Sequence, residues 1–297
     1  MTAPLTLRLR HNAHLTAHSH GWPYLAPFSL QNRRLEWVAA LPESGPRAVS
    51  IEWDAAGDTL RVDVDGVSLT EGDRGWLRES VAWMFRAEED FAPFWARCRA
   101  HPTLAGCAEQ RAGALIRSGS LFEDVVKTLC TVNCHWRNTK RMTAALCERF
   151  GEGAPGEAER FTFPTPEALA AATPEDLRAA RLGYRAASVR GFAEEVASGR
   201  LDLEQWTRVE SAEALRDELL RLRGVGPYAA HHLLVLLGHY RFIPCDSEVR
   251  AYLGLPPGAS ARETQRVVEA RYGDWGEHAF LAYKFERVLR RQNYVDA

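Results

Sequence analysis

Two glycines, a proline and a carboxylate carry the chemistry that can be read most directly from this sequence. Gly224-Val225-Gly226-Pro227 lies between two apolar runs, with Leu219 and Leu222 before it and Leu233, Leu234, Leu236 and Leu237 after it. Glycine admits positive φ and the close approach of another backbone, and proline is accepted in a first helical turn because its missing N–H would have had no partner there. The stretch therefore reads as a helix, a tight hairpin and a second helix. The N–H groups left open at the start of that second helix, at the positive end of its dipole, make a seat for a phosphate. Pro244-Cys245-Asp246 follows. A carboxylate is a group that can stabilise a developing positive charge and orient or deprotonate a water. Asp246 also begins the stretch Asp246-Ser247-Glu248-Val249-Arg250 as a favoured helix-capping residue. The two roles are compatible, since a cap position orients the carboxyl group.

The elements that must hold these residues fall into two kinds. Residues 1 to 85 alternate with the two-residue period of half-buried strands at Leu5 to Arg10, Leu35 to Ala40, Val49 to Trp53 and Leu60 to Val64, punctuated by Gly57-Asp58 and Asp65-Gly66. A small antiparallel sheet domain is expected there. From Arg74 onward the spacing turns helical, with one stripe of Trp76, Leu77, Val81, Met84 and Phe85 and another of Phe91, Phe94, Trp95 and Cys98. Helices are also expected from Leu121 to Cys134, from Cys134 onward, after Pro164-Thr165-Pro166, from Glu204 to Leu222, from Ser260 to Arg271 and from Trp275 to Arg291. The expected fold class is α+β: a sheet domain over 1–85, then a mainly helical region over 86–297 made of two helical subdomains flanking a cleft.

The hairpin with its following aspartate resembles the signature of the helix-hairpin-helix (HhH-GPD) DNA glycosylase superfamily. Ser120 to Cys130, Phe163 to Leu169 and Leu182-Gly183-Tyr184-Arg185-Ala186 are similar to segments of its 3-methyladenine glycosylase II and 8-oxoguanine glycosylase members. The resemblance covers most of residues 85 to 297, and the first 85 only in general character. It implies a base-excision enzyme that flips a damaged base out of double-stranded DNA and breaks its N-glycosidic bond through an oxocarbenium-like sugar. Asp246 would be the catalytic carboxylate, and Gly224, Val225 and Gly226 the phosphate-binding hairpin. Bifunctional relatives carry a lysine two residues after the second hairpin glycine, whose amine forms a Schiff base with the sugar. Tyr228 stands there, and a phenol makes no imine.

A monofunctional glycosylase is therefore expected, with alkylated purines the favoured substrates because their positive charge stacks on aromatic rings. Trp136, Tyr184, Tyr228 and Trp275 are the candidate stacking residues of the base pocket. The resemblance places Asn133 in the turn that fills the gap left by the extruded base; as a residue of the sequence alone, it serves equally to end a helix. Arg185 and Arg190 are expected to face DNA. Two other readings stand beside this one: a glycosylase for oxidised guanine, and a helix-hairpin-helix protein that binds DNA without catalysis.

The net charge of -2 argues against a protein whose whole surface is a polycation, yet phosphate contacts need only a few placed donors. Arg111, Arg117, Lys127, Arg137, Lys140, Arg141 and Arg149 outweigh Glu123, Asp124 and Glu148 in one segment. No apolar run nears the roughly 18 residues of a membrane span, so a cytoplasmic, nucleoid-associated monomer is expected, without membrane contact. No cofactor is expected; no cysteine follows Cys245, where some superfamily members hold an iron–sulfur loop. His11, His14, His18 and His20 are too short of further ligands to predict a metal site, and so are Cys130 and Cys134.

Overall fold

A computed structural model describes residues 4–66, 68–157 and 159–295, with side chains to residue 290. In chain order the elements begin with β1 (Leu5–Arg8), α1 (Ala13–Ala17), β2 (Ser29–Gln31), β3 (Arg34–Leu41), β4 (Gly45–Trp53), β5 (Thr59–Val64) and α2 (Glu71–Phe85). The helices α3 (Ala92–Arg99), α4 (Ala105–Glu109), α5 (Leu121–Thr131), α6 (Trp136–Phe150), α7 (Pro166–Ala170), α8 (Pro174–Ala179) and α9 (Ala186–Ala197) come next. The chain then runs through α10 (Ala212–Leu219), α11 (Pro227–Leu237), α12 (Ser247–Tyr252), α13 (Ala261–Tyr272) and α14 (Ala279–Val295).

The strands form one five-stranded antiparallel sheet in the order β1-β5-β4-β3-β2. Its register sets Leu35 opposite Ile51 and Ile51 opposite Val62, so that the alternating apolar residues read from the sequence meet on one buried face. The strand β2 escaped the sequence reading because its burial pattern holds a single covered residue, Leu30. It joins β3 through Asn32, whose φ of 51° suits the residue type.

The chain divides into two compact units whose boundaries do not fall at residue 85. The first comprises residues 1–90 and 114–203, the second residues 91–113 and 204–297. In the first, α2 lies on the sheet with Trp37 and Trp76 stacked at 5.8 Å, and His11 donates from Nε2 to the carbonyl of Phe85 at 2.7 Å. Phe122 of α5 and Phe192 of α9 stack at 5.4 Å. The histidines singled out earlier are committed to separate carbonyls: His20 to Ile116 and His18 to His14. Among the described residues no group of three potential ligands comes together.

In the second unit, Phe94 of α3 packs its ring 6.0 Å from Trp275 and 6.4 Å from Phe285 of α14. The last long helix begins later than expected, at Ala279, because Gly276 at φ 52° kinks the 3-10 segment Gly273–His278 that precedes it.

Candidate active site

Within the second unit, α10 and α11 are the two helices of the hairpin. Trp206, buried before α10, donates from its indole to Glu218 at 2.8 Å and braces that first helix. Gly224 takes φ 87°, a conformation that strains any side-chain-bearing residue, so its glycine is required by the turn itself. Val225 is buried and anchors the loop. Gly226 is different. Its φ is -100°, and a methyl group built there would meet nothing within 4 Å. Neither backbone strain nor internal packing demands glycine at 226. Pro227 opens α11, and Arg221 and Arg223 stand exposed on the hairpin, two cations the sequence reading passed over.

The loop from α11 to Asp246 is tied down at several points. Arg241 reaches Glu213 of α10 at 3.4 Å and Glu277 at 3.1 Å, and the Arg216 guanidinium lies 5.3 Å over the ring of Phe242. The N–H of Phe280 donates to the carbonyl of Tyr240 at 2.7 Å. His231 stacks on Phe242 at 5.0 Å, a packing role. Asp246 then caps α12, accepting from the N–H of Val249 at 2.8 Å, so the capping role is real. Its half-buried carboxyl is pushed above the usual carboxylate range by desolvation and by neighbouring Glu248, against the N–H of Val249 and the charge of Arg287. Cys245 beside it has its thiol raised to about 11 by burial and by the Asp246 charge, so it is an unreactive thiol at neutral pH.

Tyr228 sits half-buried in the first turn of α11 with its phenol stacked on His232 at 6.2 Å. Burial and the Lys284 charge lower His232 to about 4, so the imidazole is neutral at physiological pH. Trp275, expected among the stacking residues, is a core residue of this unit. It is 7% exposed, with His101 at 5.3 Å and the Arg97 guanidinium over its ring at 4.9 Å.

The remaining candidates lie in the first unit. The helix α5 stops at Thr131, and Asn133 follows in the left-handed region at φ 46°, exposed at the tip of a turn. Arg185, expected on the surface, is instead buried and braces this turn, donating to the carbonyls of Val132 and Asn133. Arg190 pairs with Glu194 at 2.9 Å. Tyr184 is 68% exposed and donates its hydroxyl to Val132 at 3.3 Å, which brings Tyr184 and Asn133 to the same turn. Trp136 opens α6 with its ring against the backbone of Gly21, leaving it 41% exposed. A cleft of about 270 Å³ beside them is lined by Cys134, Asn138, Arg141, Met142, Arg181 and Arg185.

The basic segment divides in the structure. Lys127, Glu123 and Asp124 are interior, with Lys127 paired to Glu123 at 2.5 Å and set 4.5 Å over the ring of Phe28. The exposed cations are Arg137, Lys140, Arg141 and Arg149 of α6.

The family described as HhH-GPD superfamily base excision DNA repair protein matches residues 126–278, more than half of the chain, spanning Asn133, Tyr184, the glycine hairpin and Asp246. The chain belongs to this superfamily. It is a DNA glycosylase of that group. Among relatives, the N-glycosylase/DNA lyase OGG1 of Arabidopsis thaliana is 29% identical, over 94% of this chain and 82% of its own length. Two solved structures share the fold. One is the 8-oxoguanine glycosylase/lyase of Clostridium acetobutylicum bound to double-stranded DNA, with TM-score 0.73, 17% identity and coverage of 99% of this chain and 97% of the other. The second is the 3-methyladenine DNA glycosylase of Archaeoglobus fulgidus, with TM-score 0.69, 18% identity and coverage of 96% and 98%. Their coverage takes in the amino-terminal sheet, which lies outside the family match. Among the described residues no helix is long and apolar enough to cross a membrane.

Proposed function

We propose that this chain is a monofunctional glycosylase acting as a monomer on double-stranded DNA, releasing a damaged base by hydrolysis and leaving an abasic site. The observation that carries the reading is that one unit holds both Tyr228, a phenol where lyase members carry an amine, and Asp246, a carboxylate at the end of a braced loop. The hairpin N–H groups and the exposed Arg221 and Arg223 hold the phosphates. Asn133 enters the gap left by the flipped nucleotide, supported by Arg185 and Tyr184. The Asp246 carboxylate stabilises positive charge on the sugar as the C1′–N bond breaks, the base departs with the bonding electrons, and water adds to C1′ while giving up a proton to that carboxylate.

Alkylated purines are the favoured substrates. Their positive charge already weakens the bond, and the ring of Tyr228, in the same unit as Asp246, offers an aromatic face to a cation. Oxidised guanine is the second reading, favoured by the likeness to the Arabidopsis and Clostridium proteins. Single-turnover release from duplexes bearing one 7-methylguanine, one hypoxanthine or one 8-oxoguanine separates them. Release from the 8-oxoguanine duplex alone overturns the alkyl preference. Asp246→Asn tests the role of that carboxylate: base release equal to the parent's overturns it.

A further inference from the structure

We propose that Arg287 is a positioning residue for the Asp246 carboxylate, gripping both ends of α12 from α14 and holding a positive charge behind the acid. The inference rests on the reading of Asp246 as the group that faces the sugar.

The helix α12 has six residues, too few to hold a direction by its own hydrogen bonds. Its orientation must come from outside, and the Asp246 side chain is bonded into its first turn at Val249. The Arg287 guanidinium supplies that orientation. Its Nη2 donates to Glu248 Oε2 at 2.6 Å in the first turn, and its Nη1 donates to the Tyr283 hydroxyl at 2.7 Å. The same group lies 5.7 Å from the ring of Tyr252 in the last turn and 5.6 Å from that of Tyr283, and these two rings meet edge to face at 5.7 Å. A planar fork that bonds and stacks at once is a property of arginine, not of lysine.

The Arg287 side chain is 13% exposed and that of Glu248 is 64% exposed, so the ion pair adds little to global stability. Its effect is local. Among the described residues, the charged and titratable groups near Asp246 are Glu248 in its own turn, Cys245 before it, Arg250 of α12, which acts on Cys245, and Tyr283 and Arg287 from α14. Arg287 is the cation that acts on Asp246 itself. It offsets the Glu248 charge that disfavours ionised Asp246, and so keeps the carboxylate available at lower pH.

The test uses the full chain and a duplex carrying one 7-methylguanine, with 8-oxoguanine as the second substrate. Single-turnover release is followed across pH, and the Asp246 carboxyl is titrated by carbon NMR without DNA, assigned by its loss in Asp246→Asn. For Arg287→Met we expect release to fall on the order of tenfold to a hundredfold, with DNA affinity kept and both the acid limb and the NMR titration moved to higher pH. Arg287→Lys keeps the limb near its original place while the rate stays low, and Glu248→Gln moves the limb the opposite way, to lower pH. An Asp246 titration that does not respond to Arg287→Met or Glu248→Gln overturns the inference, whichever lesion is released. If Asp246→Asn releases base like the parent, the catalytic assignment of Asp246 fails instead, a result distinguishable because it needs no change at Arg287.

Discussion

The imidazole of His232 lies nearly parallel to the phenol of Tyr228 one helical turn earlier, 13° from coplanar and 6.2 Å between centroids. An amine introduced at 228 would stand beside a neutral ring in a half-buried site, where desolvation lowers a lysine pKa and favours the nucleophilic form. The parent chain should give no borohydride-trapped adduct with lesion DNA, whereas Tyr228→Lys should give a detectable fraction. A trapped adduct with the parent would mean that another amine does the chemistry.

Asp246→Asn should lower base release by at least about a hundredfold, the scale of a lost acid–base or charge-stabilising group, with DNA binding unchanged. Asparagine still caps a helix, so the thermal midpoint should hold, while Asp246→Ala should also lose about 1 kcal/mol of stability. Calorimetry alongside the kinetics separates the two effects.

Asp246 and His232 each contribute to the pH dependence of this unit. Because desolvation holds Asp246 above the usual carboxylate range, the acid limb of base release should begin above that range. His232 affects stability: it titrates at about 4 in the folded chain against a reference of 6.5, so below 6.5 the unfolded chain takes up the proton first. Stability from this residue is full above pH 6.5 and is lost as the pH falls through about 4. Denaturant midpoints measured from pH 7 to 4 should decline less steeply in His232→Phe than in the parent.

Asn133 holds a left-handed backbone at the turn that Arg185 braces. Asn133→Val should cost about 1–2 kcal/mol from that conformation alone. Asn133→Gly relieves the backbone and removes the side chain, so it should keep the thermal midpoint and still slow base release. Equal release by the glycine variant and the parent would remove Asn133 from the DNA-filling role.

Trp206 is 1% exposed and its indole N–H is held by Glu218. Trp206→Ala should destabilise by about 3–5 kcal/mol and weaken DNA binding through the hairpin that α10 supports. Chemical denaturation and binding titrations read both.

What could be read from the chain in advance was local in cause. The φ of Gly224, proline in the first turn of α11 and the capping carboxyl of Asp246 depend on neighbours a few residues away, and the strands through Leu35, Ile51 and Val62 announce themselves by their own alternation and short connecting turns. Trp275 was read as a pocket residue and Arg185 and Lys127 as surface cations, yet all three are buried, because their surroundings come from distant segments. Nothing near Trp275 in sequence announces Phe94, and nothing near Arg185 announces the Val132 carbonyl. Arg287 escaped notice for the same reason, since Glu248 and Tyr252 reach it from another helix.

The second unit takes its first two helices from the middle of the chain and the others from its end. During synthesis, Phe94 therefore emerges long before Trp275 and Phe285, and the whole intervening segment must be made while α3 and α4 lack the surface they cover. This half of the molecule cannot mature until Phe285 has been made, so the hairpin and its aspartate become competent for DNA only after the sheet-bearing half has had time to fold.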